Sequence, residues 1–182
     1  MAKIGLKNLL FGLLDETGST PTYGRATKPG KAVSCSVDIT SNDVSLYADD
    51  ALAESDTSFQ SGTVSLVIDD EDVTTIATLL GHTVTSGNMV RNANDVAPYV
   101  GLGRIVTKMI GGVYRYKVEF LCKVKFSEHA QSDNTKGETV EFGTTELSGK
   151  ISTLANGDWS IAQVFETMTE AQTYLSGLFT GE

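Results

Sequence analysis

The chain has 182 residues, 40% hydrophobic content and a formal net charge of −9 at pH 7, which suits one domain with an ordinary core. The negative charge argues against a general nucleic-acid-binding protein, because such a protein needs a basic face to displace counterions from phosphate. No run approaches the ~20 apolar residues of a membrane span, and the run at 9–14 is too short for a secretory signal. We therefore expect a single domain over residues 1–182 that folds in a cytoplasm, without a membrane partner.

The first part of the chain predicts strands joined by a long polar segment. Residues 4–14 are predicted to form a first strand and 15–30 a loop. Apolar and polar residues alternate over 33–40 and again over 64–68. From Ala32 to Val90 the sequence has ten acids and no Lys or Arg. A compact domain seldom keeps so long a connection unless it is functional or disordered, so we expect an extended hairpin arm, about 41–62, that grips a neighbouring molecule.

Four consecutive acids, Asp69 to Asp72, permit two interpretations, a metal site or a helix start. Asp69 is a suitable N-cap, Asp72 at the third helical position could close a capping box, and Gly81 is a natural stop. The apolar residues between them follow helical spacing: Val73, Ile76, Ala77 and Leu80. These signals favour a helix over about 70–80, on which consecutive acids would point in different directions.

The strongest predicted hairpin runs from Tyr99 to Phe126. Gly111 and Gly112 supply its two-residue turn, and from Tyr114 onward apolar and polar residues alternate without a break, which is typical of a half-exposed antiparallel strand. We expect its outer face to be basic and to lie at a subunit interface. Six basic residues against one acid form this face: Arg104, Lys108, Arg115, Lys117, Lys123 and Lys125.

The remaining segments complete a β-rich chain. Around Thr83–Val84 we expect a short strand, and a last helix at about 168–178 is capped by Thr167 or Thr169. The other predicted strands are Thr139–Phe142, Glu146–Thr153 and Trp159–Glu166. The predicted fold is all-β or β-rich α+β: an antiparallel β-sandwich or partly closed barrel with one inserted flanking helix, a C-terminal helix and the extended arm.

The sequence offers little to an enzyme, a metal or a cofactor. His82 and His129 fall in predicted loops without a motif, where a cap or surface role is the expected one. Cys35 and Cys122 lie on apolar strand positions, which predicts two buried thiols, with a disulfide as the alternative. We expect no catalytic residue, no metal ligand and no cofactor.

The charges are segregated, with an acidic arm and a basic hairpin in one chain. Exposed ion pairs contribute only ~0–1 kcal/mol each, so their better use is to fix orientation between surfaces. A patch that meets a different patch on the next copy builds rings or filaments. The residues therefore suggest a self-assembling β protein.

An ordered set of short stretches resembles the major tail (tail tube) proteins of long-tailed bacteriophages. The matching stretches are Ile4–Leu9, Leu46–Asp50 with Ala53–Glu54, Leu79–His82, Asp95–Gly103, Tyr114–Tyr116 and Thr135–Gly137. The resemblance covers the chain to about Trp159. It implies a tube-protein fold like that of the type VI secretion tube, six copies per ring, and rings stacked into a tube with an acidic lumen through which DNA passes without specific binding.

The resemblance also implies partners and a location. These are a tape-measure protein, a tail initiator and a tail terminator, in a virion tail assembled in the bacterial host cytoplasm. It places contacts with the next ring on the arm, at Tyr47, Ala48, Asp49, Asp50, Ala53 and Glu54. The alternative is a monomeric β-sandwich binding module, such as a carbohydrate-binding or adhesin domain, which would need an exposed aromatic platform.

Overall fold

A computed structural model describes residues 2–48, 51–69, 72–130 and 143–180. Strands make up most of it, and two short helices flank them. The strands are β1 (Ala2–Asp15), β2 (Thr22–Tyr23), β3 (Ala32–Ser41), β4 (Val44–Ala48), β5 (Ala51–Asp56), β6 (Phe59–Ile68), β7 (Thr83–Thr85), β8 (Asn88–Val90), β9 (Tyr99–Ile110), β10 (Val113–Phe126), β11 (Thr145–Ile151) and β12 (Ser160–Phe165). The helices are α1 (Val73–Leu80) and α2 (Met168–Gly177).

One antiparallel sheet organises the domain, in the order β2-β1-β9-β10-β11-β6-β3, with β12 also pairing with β10. β12 runs along the first half of β10, and β11 takes over near its end. The sheet curls so that β1 and β3 approach each other, although no ladder joins them among the described residues. We call this gap the β1–β3 seam. The β-rich α+β prediction, with one large antiparallel sheet and two helices, is confirmed.

Both faces of the central strands are buried, because a separate apolar cluster covers each one. Inside the curl, α1 contributes Ile76, Leu79 and Leu80 to a core with Leu66 and Val124. On the opposite face, α2 lays Ala171 and Leu175 over Phe120 and Ile105. Each fully buried side chain of this size contributes about 1.5–3 kcal/mol relative to exposure. The two helices therefore hold the sheet from opposite sides.

A bulge in β10 overturns the expectation of unbroken alternation. Leu121 pairs with Leu102 on β9, but Val124 pairs with Val100, so β10 advances three residues over the distance in which β9 advances two. Because one extra residue reverses which side chains point to which face, Leu121 and Val124 share the inner core, whereas Cys122 belongs to the cluster under α2. The predicted single basic face is therefore wrong, since Lys117 and Lys123 lie on opposite sides of the sheet.

Helix α1 begins three residues later than predicted. Asp72, not Asp69, is its N-cap, and its carboxylate accepts a hydrogen bond from the backbone N–H of Thr75. Asp69 instead accepts from the backbone N–H of Lys31 at 2.8 Å, so it ties the end of β6 to the start of β3. Gly81 ends α1 as predicted, at φ +78°, where a side-chain Cβ would lie 2.3 Å from the carbonyl oxygen of Val96.

The other elements follow the prediction closely. Thr167 caps α2 in a reciprocal capping box with Glu170. Gly111 and Gly112 both have positive φ, as a primed hairpin turn requires. The short strand β2 interrupts the predicted loop 15–30 by pairing with the end of β1. The predicted strand Thr139–Phe142 lies outside the described residues.

No helix in the described part of the chain is long and apolar enough to cross a membrane.

Candidate interaction surfaces

The predicted arm is a two-stranded ribbon. Among the described residues, β4 and β5 pair only with each other, with Val44 opposite Asp56 and Ala48 opposite Ala51. Tyr47 and Ala48 lie on β4, and Ala53 and Glu54 on β5. Asp49 and Asp50 lie outside the described residues. At the base of the ribbon, the backbone N–H of Asn42 donates to the carbonyl of Ser58 at 2.8 Å, so the ribbon continues the β3–β6 ladder outward.

Neither strand of the arm packs extensively against any other described strand or helix. Just past its base, the ring of Phe59 stacks on Trp159 with centroids 4.8 Å apart and planes 8° from parallel. That stack anchors the root of the arm to the domain.

The basic hairpin is largely committed to its own fold. Arg104 is only 13% exposed, and its guanidinium donates to Glu119 at 2.6 and 2.9 Å and to the carbonyl of Cys35 at 2.9 Å. Lys117 donates to the other oxygen of Glu119. Burial alone would raise the pKa of Glu119, but the hydrogen bonds from Lys117 and Arg104 outweigh it and hold the pKa below its usual value. This cluster joins β9 and β10 to β3 across the seam.

Two more cations of the hairpin pair with acids elsewhere in the chain. Arg115 lies 2.9 Å from Glu166, and Lys123 lies 2.5 Å from Glu16. The Nζ atoms of Lys123 and Lys125 also lie 4.6 and 5.3 Å from the centre of the Tyr99 ring. Of the six residues predicted to form a basic interface, four therefore have an intramolecular carboxylate partner.

Lysines with a weak carboxylate partner, or with none among the described residues, lie instead around the β1–β3 seam. Lys7, Lys28 and Lys31 line a pocket of about 280 Å³ beside Leu6 and Leu9. Lys7 and Lys28 are exposed and have no ion-pair partner among the described residues. Lys31 is 3.5 Å from Asp69 with its side chain 92% exposed, a geometry that contributes little. We call this the seam pocket.

A second, smaller pocket of about 210 Å³ continues along the seam. Lys3 and Arg104 line it together with Ser34 and Cys35. Lys3 is directly opposite Lys108 on β9, which in turn is opposite Arg115 on β10. Like charges facing each other across strands are destabilising, but Arg115 is paired with Glu166, so Lys3 is the cation that this row brings to the seam.

The sequence did not single out these lysines as a group. Lys7 is on β1, and Lys28 and Lys31 lie in the connection between β2 and β3. Nothing in their spacing shows that β1 and β3 approach each other. That Lys7 and Lys28 have no ion-pair partner among the described residues is visible only in the tertiary structure.

His82 is a correction to the expected cap or surface role. Its side chain is 3% exposed, with Nδ1 at 2.8 Å from Asp95 and Nε2 at 2.6 Å from Glu128. The hydrogen bond from His82 lowers the pKa of Asp95. Nδ1 makes a hydrogen bond with the Asp95 carboxylate, whereas Nε2 lies close to Glu128 without making a hydrogen bond to it.

The two cysteines are free, and Cys122 is buried while Cys35 is half-buried. Burial raises the pKa of both thiols, and a raised pKa leaves little reactive thiolate. The predicted buried thiol is confirmed for Cys122. Within the described part of the chain, no group of three His, Cys, Asp or Glu residues is arranged to hold a metal ion. Asp69 and Asp72 each accept a hydrogen bond from a backbone N–H. His129 lies half-buried in the loop after β10.

Comparison with protein-family models and with curated proteins found no match to this chain.

Proposed function

We propose that this protein is a structural subunit of a long-tailed bacteriophage tail tube, forming hexameric rings that stack into the conduit for DNA delivery. The observation that carries the proposal is the two-stranded acidic arm that leaves the domain without packing extensively on it. It stands beside the ordered resemblance of short stretches along the chain.

The physical argument concerns the stability of the arm. An isolated two-stranded ribbon is at best marginally stable in water, and strands β4 and β5 have no third strand among the described residues. Packing against another molecule would supply the missing contacts. A projecting element that binds a different surface of the next copy makes a heterologous contact, which repeats without saturating until a ring or filament forms.

The net charge of −9 fits the same function. DNA in transit must not adhere to the tube wall, and a negative wall repels phosphate. In this proposal the tape-measure, initiator and terminator proteins are the partners, and the virion tail is the location.

The test is assembly of the purified chain. We expect sedimentation to show species larger than a monomer at high concentration, and negative-stain images to show rings with six-fold symmetry and stacked tubes. A chain that stays monomeric under all conditions, including with a tail initiator present, would contradict the proposal. Binding on a glycan array by such a monomer would favour the alternative of a binding module.

A further inference from the structure

We propose that the seam pocket, lined by Lys7, Lys28 and Lys31, is the acceptor for the acidic arm of the neighbouring copy. The inference rests on the proposed function, and it deepens it by naming the receiving surface. The pocket combines the three exposed lysines with an apolar floor that includes Leu6 and the buried Leu9.

Charge complementarity selects the occupant. The arm has five acids between Asp43 and Asp56 and no basic residue. None of the described residues that line the seam pocket is acidic, and Lys7 and Lys28 have no ion-pair partner in that part of the chain. Lys31 pairs with Asp69 at 3.5 Å, with the lysine side chain 92% exposed. The basic hairpin is a weaker candidate, because four of its cations already pair with carboxylates of the same chain. The pairs are Arg104 with Glu119, Arg115 with Glu166, Lys117 with Glu119 and Lys123 with Glu16.

The positions of donor and acceptor make the contact intermolecular. The arm begins beyond Ser41, whereas Lys31 precedes the first residue of the same strand. A strand rises about 3.3 Å per residue, so the base of the arm and the seam pocket are about 30 Å apart. Among the described residues, neither β4 nor β5 packs extensively against β3. Donor and acceptor therefore lie at opposite ends of one strand, which produces head-to-tail stacking.

The arm also has apolar residues suited to the floor of the pocket. Leu46, Tyr47 and Leu52 lie on the ribbon beside its acids. An interface that pairs an apolar centre with a charged rim gains affinity from the centre and orientation from the rim. The lysines then determine which way up the next copy docks.

The experiment compares two double variants with the same change in charge. Lys7→Glu with Lys28→Glu reverses the seam pocket, and Arg91→Glu with Lys150→Glu reverses two exposed residues elsewhere. We expect the first to raise the concentration for half-maximal tube formation about tenfold or more, the effect of losing about 1.4 kcal/mol of contact. The second should assemble like the wild type. Circular dichroism melting confirms that each variant is folded; if the Glu pair melts early, Lys7→Gln with Lys28→Gln replaces it.

A rescue identifies the occupant. Adding Asp49→Lys and Asp50→Lys to the reversed pocket restores opposite signs, so assembly should return towards the wild-type level. Three results would each overturn this inference while leaving the proposed function standing. They are tube formation by the pocket variant at the same concentration as the wild type, an equal loss of assembly in both double variants, and failure of the rescue. A wild-type chain that never assembles would overturn both.

Discussion

The arm and the β9–β10 hairpin are both two-stranded antiparallel units with strongly biased charge, yet they differ in their surroundings. The hairpin lies at the centre of the sheet, with one face against the inner core and the other under α2. Within the part of the chain that the structure describes, the two strands of the arm pair only with each other. Four cations of the hairpin pair with carboxylates of the same chain, whereas the sequence of the arm contains acids and no Lys or Arg. A charge seen in the sequence is available to a partner only if the fold has not already used it.

The comparison predicts that truncating the hairpin core is the most destabilising change. Phe120 is fully buried, with its ring 4.8 Å from Tyr23 and 5.5 Å from Phe179. We expect Phe120→Ala to lower the free energy of unfolding by about 3–5 kcal/mol, measured by urea denaturation. Tyr114→Ala on the same strand is the control, because Tyr114 is 52% exposed. Equal losses for the two variants would mean that the hairpin is not the centre of the core.

Removing one member of the hairpin ion cluster should have the next largest effect. Arg104→Met leaves Glu119, only 16% exposed, with Lys117 alone. We expect a loss of about 2 kcal/mol, below the 3–5 kcal/mol of a fully broken buried pair because one partner remains. Arg91→Met, at an exposed loop position, is the matched control. If Arg104→Met leaves the free energy of unfolding unchanged, the ion cluster does not stabilise the fold, and the guanidinium of wild-type Arg104 is available to another molecule.

The same cluster predicts a dependence on pH. Because the folded-state pKa of Glu119 is lowered from 4.5, its contribution is fully present above about pH 5 and is lost as the pH falls through and below 4.5. Acid should therefore destabilise the wild type more steeply than Glu119→Gln in unfolding measured from pH 7 to pH 3. The Asp38→Asn variant, at an exposed position on β3, should keep the wild-type profile. A profile for Glu119→Gln that parallels the wild type would exclude this role.

Reversal of the arm should affect assembly and leave stability almost unchanged. We expect Asp49→Lys with Asp50→Lys and Glu54→Lys to abolish tube stacking, while the free energy of unfolding shifts by no more than about 0.5 kcal/mol, as for most surface changes. Electron micrographs give the first quantity and urea denaturation the second. A normal yield of tubes would reject the role of the arm, and a large loss of stability would place its acids in the fold.

The smallest predicted effect is a partial loss of assembly. Tyr47→Ala should weaken tube formation without changing the melting temperature, because aromatic residues are frequent anchors of interfaces. Sedimentation over a range of concentrations would show the shift, with Ser45→Ala on the same strand as its control. If Tyr47→Ala lowers the melting temperature and assembly is unchanged, Tyr47 packs within its own domain.

Much of the fold could be predicted because its signals are local. The alternation at Val64, Leu66 and Ile68, the two glycines at 111 and 112, and the capping box of α2 each depend on neighbours a few residues apart. Asp72 caps α1 in place of Asp69, and the Asp69 carboxylate instead accepts a hydrogen bond from the backbone N–H of Lys31, which is 38 residues away in sequence. A tertiary contact of that kind has no local signature.

The sequence by itself determined most of the strands, the turn at Gly111 and Gly112, the presence of both helices, and which segment is acidic and extended, because side-chain periodicity and backbone preference act over a few residues. Only the tertiary structure decided which charges remain available. The bulge at 121–124 moved Lys117 and Lys123 to opposite faces, long-range pairing neutralised most of the hairpin, and the curl of the sheet brought Lys7 on β1 beside Lys28 and Lys31. Those outcomes depend on which strands become neighbours, and that is settled by the burial of two cores rather than by any single stretch of the chain.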